Sequence, residues 1–185
     1  MHILGYDMPR LHAALNDLPA ALLVVAVLFE LASWGLKRES LKWAGLWTLW
    51  AGVIGGWAAV IAGELAEDVI EHGEAIHELM ETHEALALTT MILFTVVLGW
   101  KLWRRFRVSP AEEWVLRILS VAGLVLVTAT GVYGGKLMFE HAAGIPMKTM
   151  RAEMEDREKA HEHEHPGAGA DTTHHDVPGT PPHSH

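Results

Sequence analysis

Cysteine is absent from the 185 residues, which excludes disulfides, thiolate metal sites and thiol redox chemistry in any compartment. Tyrosine and phenylalanine are scarce, at 2 and 4, beside 8 tryptophans, a balance foreign to a soluble globule of ordinary composition. Lysine and arginine are missing from Glu64 to Glu84, a stretch with eight carboxylates. The first apolar run lacks a small-residue cleavage pattern, and its start offers only Arg10 against Asp7 and Asp17, so it reads as a retained helix and not as a secretory signal. No catalytic motif is found, and nothing points to hydrolytic catalysis, nucleotide binding or nucleic-acid contact.

What is present is apolar: 50% of residues are hydrophobic. Four stretches, approximately 17–36, 41–66, 83–103 and 114–140, are long enough to cross a hydrocarbon layer of about 30 Å at about 1.5 Å per residue. Short connections between spans of alternating direction predict an all-α fold, an integral-membrane antiparallel four-helix bundle over residues 1–150. From 151 to 185 the apolar period stops. This segment, with three basic and eight acidic residues, seven histidines and much Pro and Gly, reads as a disordered, His-rich acidic tail. Its clusters at 161–165 and 174–175 have a metal-capturing composition without fixed geometry.

The net charge of −9 is unevenly placed. Lys37, Arg38 and Lys42 lie between spans one and two, and Lys101, Arg104, Arg105, Arg107 and Arg117 lie around the turn between spans three and four. By the positive-inside rule, both termini and the carboxylate-rich central loop face the periplasm or cell exterior. Trp34, Trp43, Trp47, Trp100, Trp103 and Trp114 cluster at the basic end, as an interfacial belt should. Every histidine then lies on the outer side.

The chain also shows an approximate duplication into two repeated helical hairpins, related by a pseudo-two-fold along the membrane normal. "HAAL" (His12–Leu15) opens span one and "HEAL" (His83–Leu86) opens span three; "GVIGGW" (Gly52–Trp57) and "GVYGGK" (Gly131–Lys136) lie in spans two and four. Gly52 with Gly56 and Gly131 with Gly135 have the i, i+4 spacing that lets membrane helices approach closely.

Helical periodicity sorts the histidines. Ile76, Leu79, Met80, His83, Ala87 and Thr90 form one stripe, which places His83 on the buried face of a helix that begins before span three. Glu74, His77, Glu78 and Glu81 form the solvated face. Gly131, Gly134, Met138 and His141 share a face of span four. If span one is continuous through Pro19, His12, Asn16 and Glu30 lie on one inward line, five turns separating His12 from Glu30. In an up-down bundle spans one and three are diagonal, so His12 and His83 face each other across the axis and His141 approaches from the side. Imidazoles at a headgroup boundary can equally cap helices or meet lipid phosphate. Glu30, about 9 Å inside its span, is expected to be protonated, paired with Arg104, Arg117 or Lys37, or part of a proton path; pairing is favoured.

"LHAALNDLPAALL" (Leu11–Leu23), the His-led third span and "GGKLMFEHAAGI" (Gly134–Ile145) resemble the bacterial four-helix inner-membrane family catalogued as domain of unknown function 2231, over about residues 10–145. His12, Pro19, His83 and His141 match the family's positions. Asn16 stands where a second histidine is typical, and Ala13 replaces a proline. The resemblance implies the fold and supplies no activity.

Three functions from different classes fit these residues. One is a membrane redox module holding a b-type haem on His12 and His83, with His141 as substitute ligand or partner. Another is a metal-binding or metal-handling protein in which His12, His83 and His141 take Cu, Zn or Fe. The last is a cofactor-free scaffold subunit. Beyond the lipid bilayer, the expected partner is a periplasmic redox or metal carrier.

Overall fold

The structure is a computed structural model that describes residues 7–67, 74–104 and 107–164. Among these the secondary structure is entirely helical: α1 (Met8–Leu36), α2 (Glu39–Glu67), α3 (Glu74–Trp103), α4 (Pro110–Phe139) and α5 (Met147–Glu164). The first four are 29 to 30 residues long. At about 1.5 Å per residue each runs about 45 Å, enough for the hydrocarbon layer and both headgroup regions.

Local chemistry sets the ends. Asp7 caps α1 by accepting from the Arg10 amide at 3.1 Å, and the helix runs through Pro19 without a break, as the inward line of His12 and Glu30 requires. It stops at Lys37, whose φ of 52° is left-handed, and only Lys37 and Arg38 separate it from α2. Ser109 opens α4 with a reciprocal capping box: the Ser109 amide donates to Glu112 at 2.7 Å and the Glu112 amide to Ser109 Oγ at 3.3 Å. At its far end the Ala142 amide, at a left-handed φ of 51°, donates to the Met138 carbonyl, which closes the helix, and the Ala143 amide donates to that of Leu137.

The chain divides into two compact units, Met1–Gly144 and Ile145–His185, a division slightly before the expected boundary at 150/151. In the first unit α1 packs most extensively on α2 and α3 on α4, with α2 also against α3 and α1 against α4. The ring order is therefore α1-α2-α3-α4, leaving α1 diagonal to α3 and α2 to α4. The axis is filled by Leu23, Val27, Leu49, Val53, Phe94, Val97 and Leu116, while Leu28, Ile54, Ile92, Ile118 and Val125 are exposed on the outside. Helices apolar on their outer faces as well as within are built for lipid, and all four are long and apolar enough to cross a membrane.

Glycines let neighbouring helices approach closely in the core, and two of them occupy matching places in the two hairpins. A Cβ on Gly52 would fall 2.9 Å from Leu23 Cδ2, and one on Gly123 2.6 Å from Phe94 Cζ. Gly56 likewise admits Met91, but Gly131 and Gly135 have nothing within 4 Å of such a Cβ; the packing expected of the second pair belongs to Gly123 and Gly134. The duplication is real in space with a different register. Leu23 to Phe94 and Gly52 to Gly123 are each a step of 71 residues (94 − 23 and 123 − 52), whereas the two Gly-Gly strings lie 79 apart (131 − 52).

At the basic end, Arg117 pairs with Glu113 at 3.0 Å and lies over Trp34 and Trp114, whose rings meet edge to face at 5.4 Å. Trp34, Trp43, Trp47, Trp103 and Trp114 are all exposed there, as an interfacial belt requires. In the second unit, α5 carries the helix through residues 151–164 of the expected tail. Its composition is rich in Glu, Lys, Arg and Ala, and Arg157 pairs with Glu153 at i, i+4. Residues 165–185, with the clusters at His174 and His175, lie outside the described residues, as do His2, His72 and Arg105.

Candidate imidazole site

His12 sits in the second turn of α1 and His83 in the third turn of α3, both at the carboxylate-rich end. His12 Nδ1 is 2.8 Å from the carbonyl oxygen of Ala59 on α2, and His83 Nδ1 is 3.0 Å from that of Thr130 on α4. A carbonyl only accepts, so Nδ1–H donates in both rings, and in a neutral imidazole so held Nε2 keeps its lone pair. Each donor and acceptor are 47 residues apart. The ring centroids are 6.4 Å apart, with planes at 87°, although the backbones of α1 and α3 make no contact. The expected meeting across the diagonal is what the structure shows.

Gly63 and Gly134 explain how the rings reach a helical carbonyl. In an α-helix the carbonyl of residue i is bonded by the amide of i+4, and those fourth residues are Gly63 for Ala59 and Gly134 for Thr130. A Cβ on Gly63 would stand 3.1 Å from Cε1 and Nδ1 of His12; one on Gly134 would stand 3.0 Å from Cε1 of His83. Without those atoms each carbonyl is open on its flank. The three pairs, His12/His83, Ala59/Thr130 and Gly63/Gly134, again obey the 71-residue step (83 − 12, 130 − 59, 134 − 63). The halves differ nearby: Thr90, buried beside His83, approaches Thr130 Oγ1 at 3.4 Å, where the first half has Pro19 and Ala59.

His141 is placed elsewhere. The inward stripe of α4 runs Leu116, Ser120, Gly123, Val127, Thr130, Gly134 and Leu137, and His141 would be its next step, but the helix ends at Phe139. His141 is exposed in the turn, with no side-chain hydrogen bond or ion pair among the described residues. That turn meets the start of α1, since a Cβ on Gly144 would lie 3.3 Å from Pro9. No group of three or more His, Asp or Glu positioned for a metal ion occurs among the described residues. His77 lies exposed on the polar face of α3, 3.4 Å from Glu81, as its spacing predicts.

Sequence reasoning missed the carbonyl acceptors and Gly63. A backbone oxygen has no sequence signature, but alignment on the histidines and not on the Gly-Gly strings pairs Gly63 with Gly134. It also missed the partner of Glu30. Lys101 Nζ, from diagonal α3, lies 2.8 Å from Glu30 Oε2, and Ser120 Oγ donates to the same oxygen at 2.9 Å. Of the expected partners, Arg104 holds Glu112 and Arg117 holds Glu113.

The family described as "Predicted membrane protein (DUF2231)" matches residues 9–146, the whole four-helix unit. The chain belongs to this family. No curated protein and no solved structure matches it. The family match spans both halves of the imidazole site and the Glu30–Lys101 pair, and makes the protein an integral membrane protein.

Proposed function

We propose that the protein is a membrane redox module that binds a b-type haem between His12 and His83. The observation that carries this reading is the pairing of two tethered imidazoles on diagonal helices. Two imidazoles would suffice to hold a haem iron, whereas an ion held by protein alone commonly takes three or four ligands. The two rings, with centroids 6.4 Å apart across the bundle axis, would be the residues that hold the group. The carbonyls of Ala59 and Thr130 fix the tautomer that leaves Nε2 free and orient both rings, as outer partners of ligating histidines do. Bound haem would supply one-electron transfer. His12 and His83 would hold it, and His141, exposed in the turn after α4, lies outside this pair.

The loop charges orient this end toward the periplasm of a bacterial inner membrane, with both termini on that side. The exchange partner is then a periplasmic electron carrier. The deciding experiment is an absorption spectrum of the detergent-purified protein with metal analysis of the same sample. A Soret band that shifts on reduction is expected, lost in His83→Ala, weakened or lost in His12→Ala and unchanged in His141→Ala. Bound Cu, Zn or Fe without pigment, lost in all three variants, would replace haem with a metal-ion site. Neither pigment nor metal would leave the scaffold reading.

A further inference from the structure

We propose that the Glu30–Lys101 pair is the key by which the α1–α2 hairpin accepts an α3–α4 hairpin, and not a second α1–α2 hairpin, as its partner across the bundle axis. Lys101 lies 71 residues after Glu30 (101 − 30), the step that relates His12 to His83 and Leu23 to Phe94, so the two charges occupy equivalent positions of the two repeats. A two-fold axis makes each position face its own equivalent. Near one end this sets imidazole against imidazole; near the other it sets carboxylate against ammonium. Two copies of the first hairpin in the same geometry would face Glu30 with Glu30, and two copies of the second would face Lys101 with Lys101. Like charges opposed inside a membrane are strongly unfavourable, so self-pairing is excluded and the mixed pair remains.

The surroundings sharpen the preference. The side chains of Glu30 and Lys101 are 19% and 18% exposed, and between this pair and the imidazoles the bundle is filled by apolar residues. Ser120 of α4 donates to Glu30. Its counterpart by the same step is Leu49 of α2 (120 − 71), buried and unable to do so. Glu30 therefore finds a hydroxyl as well as an ammonium only on the second hairpin. A buried ion pair is seldom more stabilising than apolar side chains of similar volume, and the use best supported for one is the choice of register and partner.

The test uses the full chain purified in detergent, read by size-exclusion chromatography with light scattering and by thermal unfolding followed by circular dichroism, neither of which depends on a bound pigment or metal. Glu30→Lys and Lys101→Glu should each lose most of the folded species of the natural chain, and the double reversal should restore its mass and its melting temperature. Glu30→Leu with Lys101→Met should melt at the natural temperature or higher but spread into additional, larger assemblies, because nothing then opposes self-pairing. A double reversal that fails to restore the natural species overturns the proposal. So does the apolar variant if it keeps the natural single species, or if it unfolds, since the pair would then be a stabilising contact and no key.

Discussion

Alanine at Gly63 or Gly134 probes the imidazole site without touching a histidine. The added methyl would stand 3.1 Å from Nδ1 and Cε1 of His12 in the first case and 3.0 Å from Cε1 of His83 in the second, tighter than ordinary van der Waals contact by several tenths of an ångström. The ring must retreat, and the bond it gives up is its tether, 2.8 Å to Ala59 or 3.0 Å to Thr130. Loss of one such hydrogen bond is worth about 0.5–1.5 kcal/mol, and disturbed outer partners of metal-ligating histidines weaken metal sites by about 10- to 100-fold. Under the proposed haem reading, the expected loss of haem affinity is at least about twofold per variant and larger for the double variant. Alanine also raises helix stability over glycine by about 0.8–1.0 kcal/mol, so controls at Gly131 and Gly135, which have open space around them, remove that contribution. The assay is haem titration of apoprotein followed at the Soret band, with the reduction potential of the loaded protein as a second readout. If Gly63→Ala and Gly134→Ala titrate like Gly131→Ala and Gly135→Ala, the contact geometry does not govern the site and the reasoning fails.

Other consequences can be checked independently. Phe94→Ala, at a fully buried ring against Gly123, should destabilise the bundle by about 3–5 kcal/mol, read as a lowered melting temperature in detergent; a change below about 1 kcal/mol would show that the core collapses around the gap. A reporter fused to the C-terminus should be active only in the periplasmic configuration, and cytoplasmic activity would reverse the orientation drawn from the loop charges. Deletion from residue 151 onward should leave the four-helix unit folded while lowering metal capture at limiting concentration; loss of the folded unit would assign that segment a structural part.

Much of the imidazole site was legible before any coordinates. A 3.6-residue period assigns each side chain a face within its own helix, which is how His83 could be turned inward and His77 outward. Loop length then makes α1 and α3 diagonal, so His12 and His83 were bound to oppose each other. His141 shows the limit of the same argument. Its face follows from the period, but the face means nothing once the helix has stopped, and the stop depends on the Ala142 turn closing onto Met138 and Leu137.

The number of spans, the opposition of the two histidines and the segregation of charge rest on hydrophobicity and on a period internal to each helix, and can be read along the chain. That the rings hang from the carbonyls of Ala59 and Thr130, that Gly63 and not the Gly-Gly string matches Gly134, and that Glu30 reaches Lys101 in preference to an arginine emerges from helix packing alone. These depend on how far one helix slides and turns against its neighbour, a shift of a residue or two set by the fit of Leu23 onto Gly52 and Phe94 onto Gly123. Packing of that kind is a property of facing surfaces, and a pattern along one helix does not contain it.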